Sequence, residues 1–312
     1  MRISFLRDSG LIGGRSVLCI GGIAFEATSS LPLHDTADSA YADFLATEPG
    51  VREKAIAVSL DEGDPAPPQG ARLTFDTGSA WSAYSLADGD RAIVMARPLA
   101  RDRPLLSARF DSGVTRVRVT CSPALAFEGR FYNPIRYPLD QLLMMHRLAN
   151  EGGSIIHCAL IDVGGSAVIC PGVSGAGKTT LARQLAASPD FRVLSDDRAV
   201  VRRSGDGYWA HGTPWPGEGG FAVNQGLPLV GIGFIQQRAT PATERIARSQ
   251  AIQLLVRVAS VPWFDREAGP RAFDGLAHLC GRVPTWLLGV PPDVSAGTAV
   301  RALAEGRACR AV

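Results

Sequence analysis

Residues 157–185 read HCALIDVGGSAVICPGVSGAGKTTLARQL, and the fold turns on them. Within this stretch, 172–179 (GVSGAGKT) has the G-x-x-x-x-G-K-[ST] spacing of a phosphate-binding loop. Ser166 to Cys170 is a short apolar run entering the glycines, and KTTLARQLAAS beyond them has Leu181 and Leu185 on one helical face. Strand, glycine loop and helix in succession is the context such a loop needs. Its backbone N–H groups and the start of the helix present positive charge to a phosphate. The fixed positions match by chance in about 1% of chains of this length.

On this reading Gly172, Val173, Ser174, Gly175, Ala176, Gly177, Lys178, Thr179 and Thr180 form the nucleotide contact. Lys178 bridges the β- and γ-phosphates of ATP, and the Thr179 hydroxyl coordinates Mg²⁺. Upstream, the Gly164-Gly165 pair predicts a strand hairpin that carries His157. Downstream, FRVLSDDRAVV predicts a strand ending in two carboxylates, Asp196 and Asp197. Adjacent strand residues point to opposite faces, so both reach one site only if the strand ends there. One carboxylate serves the metal, and the other can act as general base toward a hydroxyl. Glu218, in the Gly- and Pro-rich loop GTPWPGEGG (212–220), is a further carboxylate that a loop can hold against a metal.

The remainder is consistent with a two-domain protein of 312 residues, 46% hydrophobic and 20% charged. A formal charge of +2 and the lack of basic blocks give no reason to expect nucleic acid or membrane as partners. Lysine occurs only at Lys54 and Lys178, which makes a lysine at the loop's critical position more telling. Cys19, Cys121, Cys158, Cys170, Cys280 and Cys309 form no C-x-x-C pair and read as free thiols in a reducing cytoplasm. No signal peptide pattern and no run long enough to span a bilayer are present.

Residues 1–128 read as a β-rich domain of unassigned role, with strand segments at 16–25, 55–60, 91–96 and 115–121. A hairpin over 85–96 turns at Asp88-Gly89, and 61–70 is a loop. The second domain is expected to span 129–312. It opens with a helix over 138–153, on which His146 reads as a packed or surface residue. A strand over 229–237 and an amphipathic helix over 248–259 follow.

His157 fifteen residues before the loop, Gly172 to Thr179 with Ser174 inside, Asp196-Asp197 eighteen residues after the lysine, and Glu218 together resemble the catalytic domain of HPr kinase/phosphorylase and its serine-kinase relatives. The resemblance covers roughly residues 135–265. It implies an α/β fold of the compact P-loop type shared with phosphoenolpyruvate carboxykinase. It also implies an ATP- and Mg²⁺-dependent kinase acting on a serine of a peptide or small protein. In that scheme Thr179, Asp196 and Glu218 hold Mg²⁺, Asp197 takes the serine proton, and His157 tunes the base. Spacing from the lysine favours Asp196 for the base, alignment on the pair favours Asp197, and the choice stays open. Arg238, Arg245 and Arg257 compete for a further arginine role. Glu218-Gly219-Gly220 replaces the glutamate and arginine-glycine motif of the bifunctional enzyme, so a kinase without phosphorylase activity is expected. The short β-rich front and LSDDRAVV…GTPW are similar to kinases of modified-peptide pathways, including lasso peptides. Small-metabolite kinase and silent nucleotide-binding module are the alternatives, and a homo-oligomer is left open.

Overall fold

The computed structural model describes residues 14–34, 39–46, 55–97, 100–293 and 295–308. Lys54 and Cys309 lie outside them. The chain forms two compact units, which divide at Leu143/Met144 rather than at the expected 128/129; residues 20–22 group with the second.

The first unit is built on β-strands with apolar residues at alternate positions. In chain order they are β1 (Arg15–Ile20), β2 (Ile23–Ser29), β3 (Leu33–His34), β4 (Ala55–Glu62), β5 (Arg72–Asp76), β6 (Trp81–Ser85), β7 (Arg91–Arg97), β8 (Ala100–Phe110), β9 (Arg116–Cys121), β10 (Ala126–Phe127) and β11 (Arg130–Tyr132), with the one-turn α1 (Ser39–Ala42) after β3. Eight strands make one sheet in the order β1-β2-β4-β9-β8-β7-β6-β5. Ile56, Val58 and Leu60 of β4 and Val117 and Val119 of β9 turn to the core, while Ala57, Arg116 and Arg118 face out. The segment 16–25, expected as one strand, is two, because Gly21 and Gly22 turn the chain at φ 59° and 73°. The hairpin at Asp88-Gly89 forms between β6 and β7, with Gly89 at φ 89°.

Helix α2 (Leu139–Glu151) precedes the second sheet: β12 (Ser154–Val163), β13 (Ser166–Pro171), α3 (Lys178–Ala186), β14 (Arg192–Ser195), β15 (Arg198–Ser204), β16 (Gly207–His211), β17 (Gly226–Gln237), β18 (Ala242–Arg245), α4 (Arg248–Val256), α5 (Ala268–Arg282), β19 (Thr285–Val290) and α6 (Ala296–Ala304). The strand order is β13-β12-β15-β16-β17-β19-β18, with β14 also on β12. Parallel pairing of β13 with β17 closes a circuit through β12, β15 and β16. Strand β12 is buried on both sides, hence its nearly continuous apolar run. Ile156, Cys158 and Leu160 pack with α4 and α5, and Ala159 and Ile161 with α3 and α6. The unit is thus a mixed sheet with helices on both faces. The β12–β13 hairpin turns at Gly164 and Gly165, at φ 62° and 87°, as expected of the glycine pair.

His146 on α2 is buried, with Nε2 3.8 Å from Asp265 Oδ2 and its ring against Phe264, so it is a packed residue. Cys121, Cys158, Cys170 and Cys280 are buried free thiols. Burial pushes Cys121 and Cys170 up to about 12 and Cys280 to about 11, which leaves them unreactive. Among the described residues, no helix is long and apolar enough to cross a membrane.

Candidate functional site

Strand β13 delivers the chain into the glycine loop, and the loop ends at Gly177, which N-caps α3 at φ 102°. Gly175 stands at φ 78°. These left-handed conformations suit glycine alone, and a Cβ at either residue would meet nothing within 4 Å, so the loop's outer side is open. Gly172 differs: a Cβ there would lie 2.7 Å from the Ala176 side chain, so the loop closes on itself at its start. Lys178 begins α3 and turns back over the loop, donating from Nζ to the carbonyls of Gly172 at 2.8 Å and Val173 at 3.0 Å. Burial pushes its ammonium down from the ordinary lysine value, against the pull of Asp197.

His157 is tied to this loop through its backbone. Its carbonyl accepts from Gly172 N at 3.4 Å, and its N–H donates to Val258 O at 2.8 Å. Its Nε2 lies 2.8 Å from Asp197 Oδ1, and Arg198 Nη1 donates to Asp197 Oδ2. His157 and Arg198 stand directly opposite each other in the antiparallel pair of β12 and β15, with Asp197 between them. Burial acts to push the Asp197 carboxyl up. The His157 hydrogen bond outweighs it, together with the charges of Arg198, His157 and Lys178, and holds the carboxyl below the usual carboxylate range. Arg198 was not singled out from the sequence, although it adjoins the Asp pair. Its carbonyl is fixed by the buried hydroxyls of Ser195 and Thr213, each at 2.7 Å.

The two aspartates do different work. As expected, a strand ends at the pair: β14 stops at Ser195, the chain bends at 196–197, and β15 starts at Arg198, both strands lying along β12. Their carboxylates have different partners, Asp196 the 217–219 amides and Asp197 His157 and Arg198. Asp196 is 1% exposed, and its oxygens accept from Gly217 N at 3.0 Å and Gly219 N at 2.7 Å. A Cβ at either glycine would press on Asp196 Oδ2, at 2.8 and 2.6 Å. Asp196 therefore clasps the 212–220 loop, the loop that carries Glu218. Both of its oxygens are already engaged by amides.

Glu218 lies between those two glycines, with its side chain exposed, and its carbonyl accepts from Arg183 Nη2 of α3 at 2.7 Å. The loop is thus fastened to both the Asp pair and the helix that follows the glycine loop. Among the described residues no three His, Cys, Asp or Glu side chains converge to hold an ion. Thr179 is half-buried in the first turn of α3 and Thr180 is exposed.

Of the competing arginines, Arg238 lines a cleft of about 480 Å³ beside the loop, with Ala176, Gly177, Thr180, Gln237 and Pro291. Arg257 adjoins Val258, whose carbonyl holds the His157 backbone. Arg245 lies across from Trp286 on β18, at the opposite end of β19 from that cleft.

Residues 139–288 match the family described as SynChlorMet cassette protein ScmC. No curated protein matches the chain. The matched stretch starts with α2 and ends within β19, so it contains every candidate site residue and none of the first unit's sheet. In the second unit the chain is similar to ScmC.

Proposed function

We propose that the second unit is a P-loop kinase of the HPr kinase/phosphoenolpyruvate carboxykinase type, which uses ATP and Mg²⁺ to phosphorylate a serine of a peptide or small protein. One observation carries the reading. His157 accepts from Gly172 at the start of the glycine loop with its carbonyl and binds the Asp197 carboxylate with its ring, so that carboxylate is tied to the root of the loop that Lys178 closes. A phosphate site and a candidate base for a hydroxyl therefore adjoin.

The residues fit the groups required. The open outer side at Gly175 and Gly177 suits a phosphate chain, and the Lys178 ammonium already occupies a place among acceptors that phosphate oxygens can take over. The cleft bounded by Gln237, Arg238 and Pro291 can take the nucleoside. Magnesium binds few protein oxygens and keeps water and phosphate as its other ligands. The Thr179 hydroxyl with the exposed Glu218 carboxylate meets that need without a protein cage.

Bound ATP supplies the phosphoryl group, and Mg²⁺ offsets its charge. Lys178 leaves the Gly172 and Val173 carbonyls to neutralise the phosphates. Asp197 accepts the serine proton as the hydroxyl oxygen bonds to phosphorus and ADP departs. His157 holds Oδ1 and Arg198 holds Oδ2, so the carboxylate stays ionised and oriented. Asp196 acts at one remove, by fixing the loop that carries Glu218.

The test is transfer of labelled γ-phosphate to serine-containing peptides, with mass spectrometry to locate the label. Asp197→Asn should abolish transfer while nucleotide still binds, and Lys178→Ala should weaken binding. Full activity in Asp197→Asn rejects Asp197 as base. Hydrolysis of ATP by the wild type with no labelled acceptor favours a regulatory module instead.

A further inference from the structure

The other end of β19 carries a second cluster of fixed positive charge. Arg245 closes β18 opposite Trp286, and its guanidinium lies 5.1 Å from the centre of that ring. Arg248 opens α4 and donates from Nε and Nη2 to the Ala277 carbonyl at 3.1 and 2.8 Å. Arg282 closes α5 and donates from Nη2 to the Asp206 carbonyl at 3.4 Å. The three line a recess of about 230 Å³ with Cys280, Gly281 and Thr285, and no acid is among its lining residues. Among the described residues, none of the three pairs with a carboxylate. A Cβ at Gly281 would lie 3.1 Å from Arg248 Cζ, so that guanidinium lies close over the glycine.

Three like charges gathered in one recess repel, and long side chains lose entropy when held in place. All three are solvent-exposed, and each is held by a neutral group, a ring face or a main-chain carbonyl, which leaves N–H donors free for a ligand. A guanidinium carries five donors in a planar fork, matched by the oxygens of a phosphate. We propose that this recess is an anion site for a phosphate-type dianion, either free phosphate or the phosphoryl group of a small phosphomonoester. It is separate from the glycine loop. The recess holds Thr285 at the start of β19, and the cleft beside the loop holds Val290 at its end, roughly 17 Å away at ~3.3 Å per strand residue. Arg245 belongs to this second site rather than to phosphoryl transfer.

The experiment titrates inorganic phosphate, and separately glycerol phosphate, into the full chain at constant ionic strength balanced with chloride. Amide shifts of Gly281 and Thr285 are followed in the wild type, Lys178→Ala, Arg248→Gln and Arg282→Gln. Saturable shifts are expected in the wild type and in Lys178→Ala, which weakens any phosphate binding at the glycine loop. Each glutamine variant should raise Kd about tenfold or more, the size of a lost charge-assisted hydrogen bond. Arg282 is exposed, so its variant should keep the wild-type unfolding temperature. Saturation by both probes identifies free phosphate as sufficient, and saturation by glycerol phosphate alone identifies an organic phosphate. Shifts that fail to saturate, that chloride reproduces, or that survive both glutamine variants overturn the proposal. The outcome is independent of whether the glycine loop binds nucleotide.

Discussion

Replacing Asp196 by Asn tests whether that side chain is a clasp. The change preserves shape and removes one acceptor. In the native protein both oxygens accept a backbone N–H, from Gly217 at 3.0 Å and Gly219 at 2.7 Å, in a side chain only 1% exposed. Asparagine can serve one of them, and its NH₂ must then face the other N–H. The loop cannot easily draw back, because Gly217 and Gly219 approach so closely that a Cβ would stand 2.8 and 2.6 Å from Oδ2. Losing a bond to a charged acceptor costs about 1.5–3 kcal/mol, and a stranded donor about 1–3 more. A loss of roughly 3 kcal/mol is therefore expected, concentrated in 212–220. Native-state hydrogen exchange reads it directly, as faster exchange at Gly217 and Gly219, with urea unfolding giving the global change. The Arg183 bond to Glu218 O should survive, so the loop loosens without detaching. Unchanged protection at both amides, or a global loss below about 0.5 kcal/mol, would refute the clasp.

Other consequences are equally concrete. His157→Ala removes the hydrogen bond that helps hold the Asp197 carboxyl below its usual range, so the acidic limb of the transfer rate should move to higher pH, with nucleotide affinity little changed. A pH–rate profile unaltered in that variant would separate His157 from the base. Burial holds His211 down at about 4 from an ordinary 6.5, so its neutral form is favoured by folding. That stability is complete above pH 6.5 and is lost as pH falls toward 4, by about 3 kcal/mol at ~1.4 kcal/mol per unit. Urea midpoints at pH 7, 5.5 and 4.5 should fall accordingly, and His211→Gln should flatten the slope. Gly177→Ala puts a side chain at φ 102°, which should cost about 1–2 kcal/mol by thermal unfolding although the site has room for the methyl group.

How much of this was legible in advance follows from range along the chain. The hairpins at Gly164-Gly165 and Asp88-Gly89, helix α3 and the glycine loop are set by neighbours within a few residues, through turn chemistry and periodicity. The alternation of β4 and β9 marked them as strands. The parallel pairing of β4 with β2 on one side and β9 on the other is a long-range choice that no local pattern encodes. The Asp-Asp pair shows the limit most sharply. Its residue types and distance from Lys178 pointed to a site, but which carboxylate faces the lysine depends on a bend at 196–197 and on what packs against each side. Asp196 met the amides of a loop some twenty residues on, and Asp197 met a histidine some forty residues earlier on the adjacent strand. Arg198 was invisible as a partner for the same reason, since its place opposite His157 is a matter of strand register. Local chemistry in the chain marks the glycine loop, its lysine and the carboxylates. Only the packing of distant segments assigns each carboxylate its task, because strand register and the burial of polar groups are decided between segments, not within them.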